Sequence, residues 1–390
     1  SGVPTDDGGA SIADRFDGGG IDGGTHDTDT SDGGTNDAGA IDDLDGGTTA
    51  DAGNVAQFVY VGTNSTEILQ YELMRDGGLS LVDATAAGSR SSFLAFSPSK
   101  THLYSVTEAS PGRVAAYSIQ QKTGELTFIN DVSSEGTSPA HLSVHPTGQW
   151  VLVANFGSGT IASIPVTSTG GLANAVDARF AGANAHQIVS DSSGAFSLVP
   201  CRNADAIFQY KFGSDGKFTA NTPPSTATEN GSGPRHIDFH SVEPWAYSIN
   251  EFDSTVTRFE FNRTQGTLSP KQTLSSLPAG YGGTNTGAEV VVHPKGHVLY
   301  ASNRGHDSIA IFDLNAVTGA MTLRTHTLTG GATPRSFTVT SDGTFLVAAN
   351  QGSKTIAVFR IANDGTLSSV GAATSLNVAP LFVGILELSR

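Results

Sequence analysis

A single cysteine, Cys201, stands in 390 residues, which excludes an intrachain disulfide and any zinc site built on several thiolates. It falls at the end of an expected strand, where a buried structural thiol is the expected role. No run of about 20 apolar residues occurs, so no segment reads as a membrane-spanning helix. Charged residues make up only 15 % and form no basic stripe, which argues against a nucleic-acid partner. The short catalytic signatures are missing too: there is no G-x-S-x-G elbow, no H-E-x-x-H zinc helix and no phosphate-cradling G-x-x-x-x-G-K loop. His141 and His145 are four apart on one expected strand, but Pro146 follows and no third ligand is evident. No metal or other cofactor is implied.

What is abundant is glycine, at 47 residues, and much of it is concentrated at one end. Residues 1–54 hold 13 Asp and 14 Gly, with Asp-Gly-Gly recurring five times and Arg15 the lone Lys or Arg. Such a segment buries no core and is expected to be a disordered, self-repelling spacer. Its Asp27–Gly33 stretch departs from a calcium loop, since the glycine comes one place late and no glutamate closes it. The spacer carries 12 of the 16 net negative charges, leaving residues 55–390 near −4. An Asp/Gly spacer behind Ser1 resembles the tether of exported bacterial lipoproteins, whose anchoring cysteine would lie upstream. An extracytoplasmic location is therefore expected, and a cytoplasmic one if the segment is no tether.

From residue 55 the chain repeats. First strands begin at SFLAFSPS (92–99), PAHLSVHP (139–146), NAHQIVSD (184–191), PRHIDFHS (234–241), GAEVVVHP (287–294) and PRSFTVTS (334–341), 45 to 53 residues apart. That period matches four-stranded propeller blades. Second strands follow at a nearly fixed offset, and a seventh, FVYVGTN (58–64), has no first strand before it. Its missing partner is expected at Ala379–Gly384, near the other end. The fold class is therefore all-β: a seven-bladed propeller over 55–390, its ring closed by the C-terminal strand completing the N-terminal blade.

In an up-and-down blade the innermost strand comes first, so its start and the end of strand two meet at one mouth of the central channel. The first column reads Phe93, His141, His186, His236, Glu289 and Ser336, with Arg235 and Arg335 one place earlier. The second reads Glu108, Phe156, Arg202, Glu251, Arg304 and Gln351. A charged mouth of this kind is the default site of the architecture. Polar residues repeated at one position serve scaffolds more often than chemistry. Asn155, Asn250, Asn303 and Asn350 therefore read as strand-end caps, and for His141, His186 and His236 scaffold and catalysis both stay open. Arg235, Glu251 and Arg304 vary from blade to blade, which points to a site.

The phrases PAHLSVHPTGQWVLVANFGSG (139–159), GSGPRHIDFHSVEPWAYSINEFDSTV (231–256), AEVVVHPKGHVLYASNRGHDSIAIF (288–312) and TPRSFTVTSDGTFLVAANQGS (333–353) resemble the seven-bladed propeller lactonases. That family includes the propeller-type bacterial 6-phosphogluconolactonase and the fungal carboxymuconate cyclase, and the resemblance spans about 55–389. It implies a catalytic set of His186, Arg235, Glu251 and Arg304, with a small-molecule lactone as partner. His141, His236, Glu289 and Arg335 join as substrate-binding candidates. Lactone opening needs a base for water, positive charge at the developing oxyanion and a proton for the leaving alkoxide. Arg235 and Arg304 suit the charge, and Glu251 with His186 the proton transfers. Glu251→Gln is accordingly expected to remove turnover without loss of stability. Pro200-Cys201-Arg202 stands where an acidic residue is more common in the family. The alternatives are a cycloisomerase of the muconate type and a non-catalytic exported propeller that binds ligands.

Overall fold

The computed structural model describes residues 55–389. The expected spacer at 1–54, with its calcium and tether readings, lies outside the described residues. Among those described, the strands form seven antiparallel sheets, and one 3-10 turn, Arg202–Ala204, is the single helical element.

Blade one is ordered Pro380–Ser389, Val55–Thr63, Glu67–Leu73, Leu79–Ala86. Val55 pairs with Ser389 and Val61 with Val383, so the chain's last strand does take the innermost place in its first blade. Closure by pairing the two ends removes the edges at which an open array would associate with other chains. The other blades each run in sequence order from the first strand outward, beginning at Leu94, Pro139, Val189, Pro234, Thr286 and Pro334. Fourth strands are the least regular. That of blade three is only Asp177–Phe180, and that of blade seven is split into Leu367–Ser369 and Thr374–Ser375.

Apolar alternation has a direct consequence here, because each blade is covered on both faces by its neighbours. Phe58 and Tyr60 face blade two with Leu103 and Tyr117, whereas Val59 and Val61 face blade seven with Phe345 and Val347. Seven such apolar layers, one per blade interface, make up the core among the described residues. Cys201 belongs to the layer between blades three and four, fully buried, where burial raises its thiol pKa far above the ordinary value.

Polar staples cross the same interfaces. The hydroxyls of Tyr60, Tyr104, Tyr247 and Tyr300 donate to the carbonyls of Gly124, Gly170, Gly319 and Gly365 at 2.6, 3.0, 2.8 and 2.7 Å. Each acceptor is a positive-φ glycine in a hairpin turn of the following blade. At Gly319 an added Cβ would also run into the Trp245 ring. His145 reaches the Gly194 carbonyl at 2.8 Å with Nε2 and Thr147 with Nδ1, so both its nitrogens serve the turn. Tyr247→Phe is expected to lower stability by about 1 kcal/mol, the net worth of one such bond, with the Gly319 carbonyl left buried. Urea unfolding would check this. No change in midpoint would mean that packing alone holds the interface.

First strands of successive blades touch one another around the channel. Their inner edges lack a strand partner, and side chains meet part of that need. His141 Nδ1 accepts from Ile188 N–H at 3.4 Å, Gln187 Oε1 from Ile237 N–H at 2.6 Å and Asp238 Oδ2 from Val292 N–H at 2.8 Å.

Candidate active site

Five first strands carry a register irregularity just inside their start: at Pro139/His141, Pro234/His236, Gly287/Val290, Pro334/Ser336 and, in the closing strand, Pro380/Phe382. The extra residue of a bulge is unpaired and re-aims its side chain. In three blades that residue is Ala140, Arg235 or Arg335, and all three line one cavity of about 200 Å³ at the mouth of the channel. The ends of second strands supply Glu108, Phe156, Arg202, Glu251 and Arg304, and His186 completes the lining. A hollow of about 670 Å³ between the outer parts of blades five and six is larger, but no charged side chain lines it.

Glu251 organises one wall. Its Oε1 meets Arg202 Nη1 at 2.7 Å and Arg304 Nη2 at 3.2 Å, and its Oε2 lies 3.4 Å from Arg235 Nε. Burial favours the neutral carboxyl, but the charges of Arg235, Arg304 and Arg202 outweigh it and hold Glu251 below the usual glutamate range. Backbone carbonyls fix two of the guanidiniums further: Arg235 Nη1 donates to Ala288 O at 2.5 Å and Arg304 Nη2 to Gly287 O at 2.9 Å. Arg202 is held by π-faces, its Cζ 4.7 Å from the Phe156 ring centre and 5.0 Å from that of Phe252. Burial, then Arg335 and Arg304, lowers Arg235 to about 9, so it remains a cation at neutral pH.

His186 is only 5 % exposed, and its Nδ1 is buried without a hydrogen-bond partner. Burial first, then Arg235, His236, Arg335 and Arg202, pushes its pKa well below the ordinary histidine value. It is a neutral imidazole at the cavity wall. Glu108 Oε2 and Arg304 Nε are likewise buried without hydrogen-bond partners, and Arg235 Nε has only its 3.4 Å ion pair with Glu251. Four of the buried side-chain atoms without a hydrogen-bond partner thus lie on residues lining this one cavity.

The eight residues expected from the sequence separate by depth. His186, Arg235, Glu251, Arg304 and Arg335 line the cavity, whereas His141, His236 and Glu289 are not in its lining. His236 Nδ1 lies 2.6 Å from Glu289 Oε1, and its Nε2 accepts from Arg235 Nη1 at 3.4 Å. Because a guanidinium nitrogen can only donate, Nε2 carries no proton and Nδ1–H faces the carboxylate. Burial raises Glu289 to about 7 while Arg235 works against it, and burial lowers His236 and His141 well below the usual histidine range. His141 stacks on Phe93 at 4.0 Å between ring centres and stands 5.6 Å from His236. Glu108, Phe156, Ala140 and Arg202 were not among the candidates. All but Ala140 stood at the end of a second strand, and that position was the signal for them.

The asparagines preceding these strand ends are fully buried. Asn155 and Asn303 donate to Ser134 O and Ser276 O at 2.8 and 2.7 Å, Asn350 to Thr329 O at 3.3 Å, and Asn250 to Thr255 Oγ1 at 2.8 Å. They tie the mouth ends of the strands together.

The model of the family described as lactonase, 7-bladed beta-propeller, matches residues 58–382. The chain belongs to that lactonase family. The chain is 34 % identical over 316 residues to the 6-phosphogluconolactonase of Bacillus subtilis, covering 77 % of this chain and 90 % of that protein. It is 30 % identical over 334 residues to the 6-phosphogluconolactonase of Pectobacterium carotovorum, covering 85 % and 99 %. Among solved structures, the periplasmic gluconolactonase of Pseudomonas aeruginosa superposes with a TM-score of 0.76 at 26 % identity, over 84 % of this chain and 99 % of that one.

Proposed function

We propose that this protein hydrolyses a sugar-acid lactone of the 6-phosphogluconolactone kind, with residues 55–390 as its catalytic body. The observation that carries this reading is the cavity itself, with four arginines against two carboxylates and a neutral imidazole in its wall. An excess of positive charge in a chain of formal charge −16 draws a small anion to the mouth. The volume, below the roughly 300 Å³ at which drug-sized sites begin, suits a single sugar-derived ring.

In the reaction, Arg235 and Arg304 face the carbonyl oxygen and stabilise the charge it gains as water attacks the carbonyl carbon. His186 takes the proton of that water. The ring C–O bond then breaks, and the imidazolium returns the proton to the leaving alkoxide, giving the hydroxy acid. Burial first and the arginines second depress His186, and a bound anionic substrate offsets the second part. Both oxygens of Glu251 are taken up by guanidiniums. Its part is to hold the arginines in register rather than to carry a proton.

The test is hydrolysis of freshly prepared 6-phosphogluconolactone beside unphosphorylated gluconolactone, followed as proton release above the spontaneous rate. Arg304→Ala is expected to lower kcat/KM by about 10²- to 10³-fold. No acceleration of either lactone by the wild type would refute the reading, and ring closure of a diene acid would then identify a cycloisomerase.

A further inference from the structure

The charged groups of the cavity fall on two sides of the ring. Blades four, five and six carry His186 with Arg202, Arg235 with Glu251, and Arg304. Glu108 stands across the opening, at the end of the second strand of blade two, and Arg335, on the bulge of blade seven, stands between it and the arginines of blades five and six. Blade one, between blades two and seven, contributes nothing to the lining.

This second pair is bonded differently from the first. Glu108 Oε1 has one long contact, 3.4 Å to Arg90 Nη2, and Oε2 is buried with no partner. Among the described residues the Arg335 guanidinium makes no hydrogen bond, although burial disfavours its charge and only the carboxylates, Glu108 first, work the other way. The two side chains feel each other's charge without closing a salt bridge. A carboxylate oxygen left bare in a half-buried wall is costly unless a ligand supplies a donor. Glu251 cannot accept from a ligand in the same way, because three guanidiniums already occupy it.

We infer that Glu108 and Arg335 form a substrate-recognition subsite in which Glu108 accepts a hydrogen bond from a hydroxyl of the lactone and Arg335 donates to an oxygen beside it. The subsite selects polyhydroxylated lactones over lactones of bare hydrocarbon rings. Binding energy gathered at this wall seats the ester against Arg235, Arg304 and His186 opposite, so a ring without hydroxyls loses orientation as well as affinity. A site built to bond a hydroxyl also penalises the analogue lacking it, since its own polar groups stay unpaired. The inference rests on the lactonase reading and names what that site recognises.

The experiment compares kcat/KM for gluconolactone and δ-valerolactone, which has the ester ring but no hydroxyl, in the wild type and in Glu108→Gln and Glu108→Ala. The wild type is expected to prefer gluconolactone by at least ~100-fold, and each variant to reduce that preference by roughly tenfold or more. Glutamine keeps the shape and removes one acceptor oxygen; alanine removes both, and circular dichroism shows that each variant is folded. An unchanged ratio in the folded variants overturns the subsite. So does an equal fall on both substrates, which would place Glu108 in the chemical step. Were the variants not to fold, a wild type without preference between the two lactones would overturn it as well. A wild type that accelerates neither lactone, nor the phosphorylated one, defeats the lactonase reading instead, so the two failures are distinct.

Discussion

Glu251→Gln is expected to lower turnover severely and, in addition, to destabilise the protein by about 3–5 kcal/mol, the usual cost of removing one partner from a buried ion pair. The sequence alone led to the opposite expectation for stability, on the view that a residue reserved for chemistry contributes little to the fold. The structure changes that expectation, because Arg202, Arg235 and Arg304 share this one carboxylate and its side chain is only 9 % exposed. An amide in its place leaves three guanidiniums facing one another. Arg235 is the most affected, with a side chain only 3 % exposed. The fall in kcat/KM should be on the order of 10³, since two oxyanion donors lose their orientation together. Urea unfolding and lactone turnover measure the two effects separately. Inorganic phosphate, a substitute anion, should raise the variant's melting temperature more than that of the wild type. A variant as stable as the wild type would show that the arginines are held by their backbone carbonyls and π-faces alone.

His186→Asn should lower kcat by about 10²- to 10⁴-fold, the range expected for loss of a general base. In the wild type, a base whose pKa is pushed below the ordinary histidine value is already deprotonated at neutral pH. The enzymatic rate should therefore be level above pH ~6.5 and fall only on the acid side. A wild-type rate that still climbs between pH 7 and 8, after subtraction of spontaneous hydrolysis, would exclude His186 as the base.

The same residue enters the stability. His141, His186 and His236 all have depressed folded-state values, so their contribution is complete above ~6.5, where the unfolded chain is neutral too. As pH falls below that, the unfolded chain takes up protons that the folded protein refuses, and stability is lost. Glu289 at about 7 and Asp238 at about 6 act in the other direction, because the folded state keeps their protons. His293 and His326 are lowered by burial as well, so the depressed histidines outnumber the raised carboxyls and the net effect is a loss of stability as pH falls below about 6.5. His186→Asn removes one of these histidines and should make that loss shallower. A variant as acid-sensitive as the wild type would mean that groups outside the channel set the slope.

The blade count, the closing strand and the mouth columns were legible because a repeat aligns itself. Once FVYVGTN lacks a first strand and residues 379–384 lack a second, ring closure is the pairing that serves both. Buried alternation on both faces of a blade also leaves a strong period-two signal, whereas the exposed outermost strands, such as Asp177–Phe180, leave little. Arg202 and Glu108 were visible as column members, but nothing in the order of residues says that one stacks between two phenylalanines while the other keeps a bare oxygen.

By itself the sequence determined the architecture and the face on which the charged column residues gather, since periodicity and register are properties of the chain. Only the tertiary structure decided depth and partnership. In regular pairing Arg235 and His236 would point to opposite faces, and it is the unpaired residue after Pro234 that lets one line the cavity while the other turns to Glu289. The division between Glu251, bound by three arginines from blades four, five and six, and Glu108, left open across the mouth, arises from distances between blades. Those distances exist only when the ring is closed.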